Sequence, residues 1–418
     1  MANGPIEKWK VRLVGHSDLQ KHGDYNDITC PVIDSASIQL PLGLAAKHDH
    51  EIAVLDIPNV FLSCPLHETV YMRLPEGKWP DPYDHTRPII KLNKSMYGIK
   101  QANREYYEEF FDFIVDNLSL QAAIAAPGPF FRGNFGAAHC IVIPVYVQDI
   151  NIIGKSVLVT SIASRLYDPF KAAGQIPVPD TFQCLGNTAT RDRSKQSIAI
   201  DQIGYINQVL DKFEMNDCLK RSTPMEIGYK PHAIQAEEQP FNSRTYQKDI
   251  GSILYATLST RPDITYAISI LGRYTAQPST LHWAAMKHLL RYLQGTSDYK
   301  LTIYDPSLGH DSQAIVCCAD AGLGGEADTS KSTSGIVVYA LGTLIIWRSK
   351  KQRVVTQSTM EAEMIATAYG KVQIDWLYDL TCEMGIASKV STRHILNDGL
   401  NCVMTLNSGK FQSDSWHL

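Results

Sequence analysis

Two apolar, β-rich runs, Ala138 to Tyr146 and Ile150 to Ile153, are separated only by Val147-Gln148-Asp149. So short a separation predicts an antiparallel hairpin with polar residues at its tip. Pro144 sits inside the first run, where it can donate no ladder hydrogen bond. It therefore threatens the hairpin that presents Asp149. Just upstream, Glu105 to Leu118 places Tyr107, Phe110, Phe111, Ile114 and Leu118 on one face of a helix.

The C-terminal third has a different rhythm. Ala314 to Cys318, Ser334 to Leu341, Leu344 to Arg348 and Val354 to Thr356 read as short strands. A long helix is expected from Thr359 to Cys382, then a strand from Thr392 to Leu396. That order predicts a sheet with a helix over one face, an α/β arrangement. Glu226 to Ser243 is the expected linker, with a second break at Asp305 to Ser312. Between them Trp283, Met286, Leu290 and Leu293 mark a packed helix, with Gly295 as its stop. A chain of 418 residues divides into roughly two to three domains.

Composition excludes several classes. At 44% hydrophobic and 20% charged, the chain is neither disordered nor fibrous. No apolar run reaches the ~18 residues of a membrane helix, and the N-terminus lacks a signal-peptide pattern. The expectation is an intracellular protein, cytoplasmic or nuclear and not secreted. Nine scattered cysteines without a Cys-x-x-Cys pair read as reduced thiols. A formal charge of −4 argues against a protein that coats nucleic acid, but leaves room for a local basic groove.

Three acids fall at element ends: Asp320 after the first C-terminal strand, Glu361 in the first turn of the long helix, and Asp398 after the last strand. Brought together, their oxygens suit Mg²⁺, and a pair of such ions activates water against a phosphodiester. Other roles are open. Ser358-Thr-Met-Glu361 fits a capping box, and Asp398-Gly399 fits a turn.

The words around these acids carry a family resemblance. Lys331-Ser-Thr-Ser-Gly335, Trp347-Arg-Ser-Lys-Lys-Gln352 and Ser358-Thr-Met-Glu-Ala-Glu363 closely resemble the ribonuclease H domain of copia-type retrotransposon polyproteins. Gly251-Ser-Ile-Leu-Tyr255, Thr260-Arg-Pro-Asp-Ile264 and Arg291-Tyr-Leu-Gln-Gly-Thr296 are similar to their connecting region. Leu55-Asp-Ile-Pro-Asn-Val-Phe-Leu62, Tyr71-Met-Arg-Leu-Pro-Glu-Gly77, Tyr97-Gly-Ile-Lys-Gln-Ala102 and Tyr146-Val-Gln-Asp149 resemble their reverse transcriptase.

The resemblance implies a mixed α/β (α+β) chain: fingers and palm over 1–165, a thumb-like part over 166–229, a connection over 230–311 and a ribonuclease H-like domain over 312–418. It implies Asp56 and Asp149 as polymerase metal ligands, with Gln148 at a position where the family carries a further Asp. It implies Lys10 and Arg12 as triphosphate contacts and Phe61 as the aromatic that excludes a ribose 2′-hydroxyl. Gln101 would lie beside the template and incoming nucleotide. In the nuclease, Asp320, Glu361 and Asp398 would be the ligands. A fourth acid is expected beyond Ser415-Trp-His-Leu418, where the sequence stops.

The implied cofactor is Mg²⁺ or Mn²⁺, two ions per site. The implied partners are an RNA template, a DNA primer, the RNA–DNA hybrid and deoxynucleoside triphosphates, with no membrane. The basic residues Arg348, Lys350, Lys351 and Arg353 are candidate phosphate contacts. Replacing one anion by an amide ~4 Å from a cation costs roughly 4 kcal/mol at an effective dielectric near 20. That is about a thousandfold in rate, so Gln148 predicts a crippled polymerase. The competing expectations are a non-catalytic nucleic-acid binder and an unused relic.

Overall fold

The computed structural model describes residues 12–21, 23–76, 89–135, 137, 139–309, 314–386 and 392–408. Helix α1 (Ser35–Lys47) begins at Asp34, whose carboxylate accepts from the Ser37 N–H at 2.9 Å. Every residue from Ala36 to Ala46 is buried, as befits a helix apolar on all sides. Strand β1 (Glu51–Asp56), the short helix α2 (Val60–Ser63) and a small ladder of β2 (Tyr71–Arg73) with β3 (Ile89–Lys91) follow. Helix α3 (Ala102–Asp112) continues as a π-turn over Phe113–Asn117. Its buried stripe is Tyr106, Phe110, Ile114 and Leu118, and Tyr107 lies at the margin.

Strands β4 (Gln121–Ala122), β5 (Pro129–Arg132), β6 (Ile141–Tyr146) and β7 (Asp149–Gly154), helix α4 (Ser156–Phe170) and strand β8 (Ala173–Gln175) complete the first region. Its sheet has six strands in the order β4-β5-β6-β7-β1-β8. Side chains alternate along β1. Ala53 and Leu55 join a core with residues of α3 and α4, whereas Ile52 and Val54 join Ile38 and Leu42 of α1. Asp56 continues the α1-side alternation.

Pro144 does not break the hairpin. It lies opposite Pro129 across β5 and β6, and Val145 N–H takes the Gly128 carbonyl at 3.1 Å. On the β7 side the ladder skips Ile143 and Pro144 and resumes at Val145 with Ile150, so the proline removes local pairs without undoing the hairpin.

Strands β9 (Thr181–Cys184), β10 (Asn187–Asp192) and β11 (Ser197–Asp201) come next, then helices α5 (Ile203–Lys212), α6 (Ser243–Ser259), α7 (Thr265–Leu271) and α8 (Thr280–Gly295), and strand β12 (Leu301–Tyr304). β12 pairs with β11, closing a second sheet in the order β12-β11-β10-β9 across the intervening helices. The span 166–229 is thus not one packed body. Its strands share a core with α1, while α5 packs with α6, α7 and α8.

The last region holds β13 (Ala314–Gly322), β14 (Thr333–Ala340), β15 (Thr343–Lys351), α9 (Thr359–Glu383), β16 (Thr392–Leu396) and α10 (Leu400–Ser408). The strand order is β15-β14-β13-β16, with β13 and β16 parallel. Helix α9 covers one face so closely that a Cβ at Gly370 would lie 2.7 Å from the Cys317 sulfur. Val354–Thr356 is not a strand. Gln352 ends the sheet, donating to Ser334 Oγ and the Ala362 carbonyl, both at 2.9 Å. Leu40 and Leu44 of α1 belong to one buried cluster with Val142 and Ile345, so the first and last regions share one core.

Candidate functional site

The hairpin brings the first two acids together. Tyr146 pairs with Asp149 across β6 and β7, leaving Val147-Gln148 as a two-residue tip. Val147 lies at φ 53°, an outlier for a β-branched residue and therefore local strain. Asp149 in turn pairs with Asp56 across β7 and β1. Paired residues of adjacent strands project to one face. The Ile57 N–H holds the Gln148 carbonyl at 3.0 Å, tying the tip to the end of β1.

Burial, and then the Asp56 charge beside it, push the Asp149 carboxyl above its ordinary range. Burial and the Asp149 charge push the neighbouring Cys184 thiol up to about 12. Among the described residues no cation offsets the two carboxylates at Asp149, and such a pair favours one.

Around this pair the expected nucleotide-binding residues are partly engaged elsewhere. Phe61, on α2, meets the Tyr97 ring edge-on at 5.1 Å and the Tyr106 ring at 6.3 Å. Arg12 lies 5.3 Å from the centroid of Tyr97. Gln101 is buried; its carboxamide accepts from Gln20 at 3.0 Å and donates to the Asp24 carbonyl at 3.3 Å. Gly98, at φ 86°, lets Gly15 approach, because a Cβ there would lie 2.3 Å from the Gly15 carbonyl oxygen. Lys10 lies outside the described residues, as does Ser415 to Leu418.

A second acid centre stands at one end of the last sheet. Cys318 of β13 lies beside Leu396 of β16 in parallel register; Asp320 is not at a strand end but inside β13, and Asp398, two residues past the end of β16, comes level with it. The third member is Glu363. One ligand oxygen each of Asp320, Glu363 and Asp398 lies within 4.8 Å of the others.

Glu361 does not join them. Its N–H donates to Ser358 Oγ at 3.1 Å and its carboxylate accepts from the Gln357 N–H at 2.7 Å, so it caps α9. Two residues along a helix is more than half a turn, which sends these two side chains to different faces.

Glu363 is nearly buried and firmly held. It accepts from the Ala321 N–H at 3.1 Å and from Asn397 Nδ2 at 2.7 Å. Asn397 is fixed in turn by the Ala319 carbonyl at 3.1 Å and the Gly399 N–H at 2.8 Å. Burial raises the Glu363 carboxyl above its usual range, the bonds from Asn397 and Ala321 pull it back, and the charges of Asp320 and Asp398 raise it again.

A helical phase count could have found Glu363. Thr367, Gly370, Ile374 and Leu377 are buried on α9, and the same spacing carried back one turn from Thr367 lands on Glu363.

A third cluster, His67 with Glu105 and Glu108, is closed by ion pairs: His67 contacts Glu105, and Arg104 contacts Glu108. Among the basic residues near the second centre, Lys351 pairs with Glu326 at 2.9 Å and Lys350 lies 5.1 Å from the Tyr369 centroid. Arg348 is exposed and, among the described residues, has no carboxylate partner. No described helix is long and apolar enough to cross a membrane.

An antiparallel sheet that sets a strand-end carboxylate beside a hairpin-tip carboxylate, backed by helices, has the design of a polymerase palm. The family model for reverse transcriptase (RNA-dependent DNA polymerase) matches residues 4–227, and the chain belongs to that family. It is similar to the retrovirus-related Pol polyprotein from transposon TNT 1-94 of Nicotiana tabacum, 33% identical over 92% of this chain and 28% of the relative. It is also similar to the Pol polyprotein from transposon RE2 of Arabidopsis thaliana, 32% identical over 92% of this chain and 26% of the relative. The transposon Ty1-ER2 Gag-Pol polyprotein of Saccharomyces cerevisiae is 22% identical over 97% of this chain and 23% of its own length. The family is thus of the copia retrotransposon type. The chain spans about a quarter of the length of these polyproteins.

Proposed function

We propose that this chain is the polymerase and ribonuclease H-like part of a copia-type retrotransposon polyprotein, with RNA-directed DNA synthesis impaired at Gln148. In this reading the last region degrades the RNA of RNA–DNA hybrids. The observation that carries it is the pair of separate carboxylate centres, Asp56 with Asp149 and Asp320 with Glu363 and Asp398, on two sheets of one chain.

Both centres fit Mg²⁺ or Mn²⁺ by their donors. All are hard carboxylate oxygens, and Asp149 and Glu363 are both held above their usual pKa in part by a neighbouring carboxylate. Such ions, when bound, activate an attacking hydroxyl or water and offset charge on the phosphate.

The protein's own contributions follow from the geometry. Asp56 and Asp149 share a face because they are register partners, and the bond from Ile57 to Gln148 fixes the hairpin tip against β1. Gln148 supplies a neutral oxygen where the family has a carboxylate, which weakens this centre. Asn397 aims the Glu363 carboxylate, and Asp320 and Asp398 complete an anionic cup open to solvent.

The test is paired. With Mg²⁺, the chain should cut the RNA of a hybrid while extending a primer poorly, and Gln148→Asp should restore extension. Robust extension by the native chain overturns the impairment. Salt-dependent hybrid binding with neither activity points to a non-catalytic nucleic-acid-binding remnant.

A further inference from the structure

The loop between β4 and β5, residues 123–128, has no regular structure of its own, and the Ile124 side chain is 92% exposed. Its backbone is nonetheless held, by residues far along the chain. The Glu383 carboxylate accepts from the Ile124 N–H at 2.8 Å and from the Ala125 N–H at 3.0 Å. The Trp376 indole donates to the Ala125 carbonyl at 2.7 Å. Trp376 and Glu383 lie about two helical turns apart, on one face of α9. Just past the helix, Gly385 packs against Asn134 where a Cβ would not fit.

This loop bears on the first acid centre through Gly128, its last residue. Pro144 brings no N–H to β6, and the β6–β7 ladder has no pairs at Ile143 and Pro144. The tip that presents Asp149 therefore stands beyond a gap on that side. On the other side Val145, next to the Tyr146–Asp149 pair, donates to the Gly128 carbonyl at 3.1 Å. The tip is thus tied through Gly128 to the loop that α9 grips.

We infer that Trp376 and Glu383 are positioning residues of the polymerase centre. The helix that supplies Glu363 to the second acid centre at one end braces the Asp149 hairpin at the other. Glu363 and Glu383 lie about 30 Å apart along α9, so the brace works without touching the nuclease ligands. A carboxylate on two backbone N–H groups makes charge-assisted bonds, roughly twice as strong as neutral ones. Among the described residues no cation competes for Glu383. This role rests on the polymerase half of the proposed function and adds to it a contribution from the last region of the chain.

Amide hydrogen exchange of the full chain reads the brace without chemistry. Glu383→Ala should speed exchange at Ile124 and Ala125 and also at Val145, while α9 from Ala366 to Leu377 keeps native protection. In the Gln148→Asp background the same substitution should lower kcat for primer extension about tenfold or more, with the nucleotide KM within about twofold, because a misplaced carboxylate slows turnover. Hybrid cleavage by the same preparations should stay within about twofold. Glu383→Gln should keep most of the extension, since its amide oxygen still accepts one of the two N–H groups. Trp376→Phe keeps the ring and removes only the indole N–H; it gives the same readings, smaller, where Glu383→Ala does not fold.

Native exchange at Val145 in a chain whose Ile124 and Ala125 amides have opened overturns the brace. So does a native kcat in a background that extends primer. Should Gln148→Asp fail to extend primer, the polymerase reading falls, while exchange at Val145 still decides whether α9 holds the hairpin.

Discussion

The two carboxylate centres are built by opposite means. At the first, local chain geometry does the work: a two-residue tip and one antiparallel register place Asp149 beside Asp56. At the second, three separate elements supply one acid each, and the buried member is aimed by a side-chain network through Asn397. The first centre tolerates a neutral residue at its tip without losing its shape, because backbone pairing makes the shape. The second keeps its shape only while Glu363 and Asn397 hold each other. Geometry can thus outlast chemistry at the hairpin, whereas at the sheet end the two are lost together.

The sharpest way to break this contrast is to exchange charge at each centre. Gln148→Asp should raise primer extension about a thousandfold, the Coulomb estimate for one restored anion. Glu363→Gln should lower hybrid cleavage by about the same factor and leave extension by the Gln148→Asp background untouched. Single-turnover assays of both activities on the same preparations decide it. If each substitution moved both activities, the centres would not be independent.

Asn397→Ala should have a smaller effect, about ten- to a hundredfold on cleavage at limiting metal, since partners that aim a ligand are worth roughly that much. Raising Mg²⁺ should recover part of the loss, which a direct loss of a ligand would not allow.

A pH series sharpens the same point. Glu363 must be ionised to act as a ligand, and burial holds its folded pKa above the ordinary glutamate range. Cleavage at limiting metal should therefore fall about tenfold per pH unit below that raised value, sooner than an unperturbed glutamate requires. The stability sign is opposite. A carboxyl whose pKa rises on folding binds its proton more tightly in the native state, so ionisation costs stability as pH climbs through the folded pKa. That cost is present at neutral pH and vanishes on acidification below the unfolded value.

How much of this was readable follows from the same contrast. The hairpin and the position of Asp149 were legible because alternation and a short tip are local signals. Helix α9 was legible from its cap and length. Glu361 stands in the first turn of α9, where an acid suits a ligand and a cap equally well, and sequence alone does not choose between the two. Counting back from Gly370 and Ile374 would have favoured Glu363.

Other features depend on partners far away in sequence. β12 joins β11 across four helices, and Pro129 opposite Pro144 depends on cross-strand register. Val354–Thr356 has strand-forming residues, but Gln352 is taken up by Ser334 and Ala362 and the ladder ends before it.

The smallest expected effect separates Glu361 from Glu363 most cleanly. Ser358 caps α9 by accepting from the Glu361 N–H, so Ser358→Ala should cost about 1 kcal/mol of stability. Glu361→Gln should cost less, because glutamine can also serve in a capping box. Well below the melting transition, both should leave hybrid cleavage within about twofold, since neither residue belongs to the acid cluster. Glu363→Gln should do the reverse, raising the thermal midpoint slightly at neutral pH by removing a buried, repelled charge while abolishing cleavage. Thermal unfolding and cleavage measured together on the three variants test the assignment. If Glu361→Gln lost cleavage and Glu363→Gln retained it, the first turn of α9 would have to turn its acid toward Asp320, and the capping geometry could not be the working one.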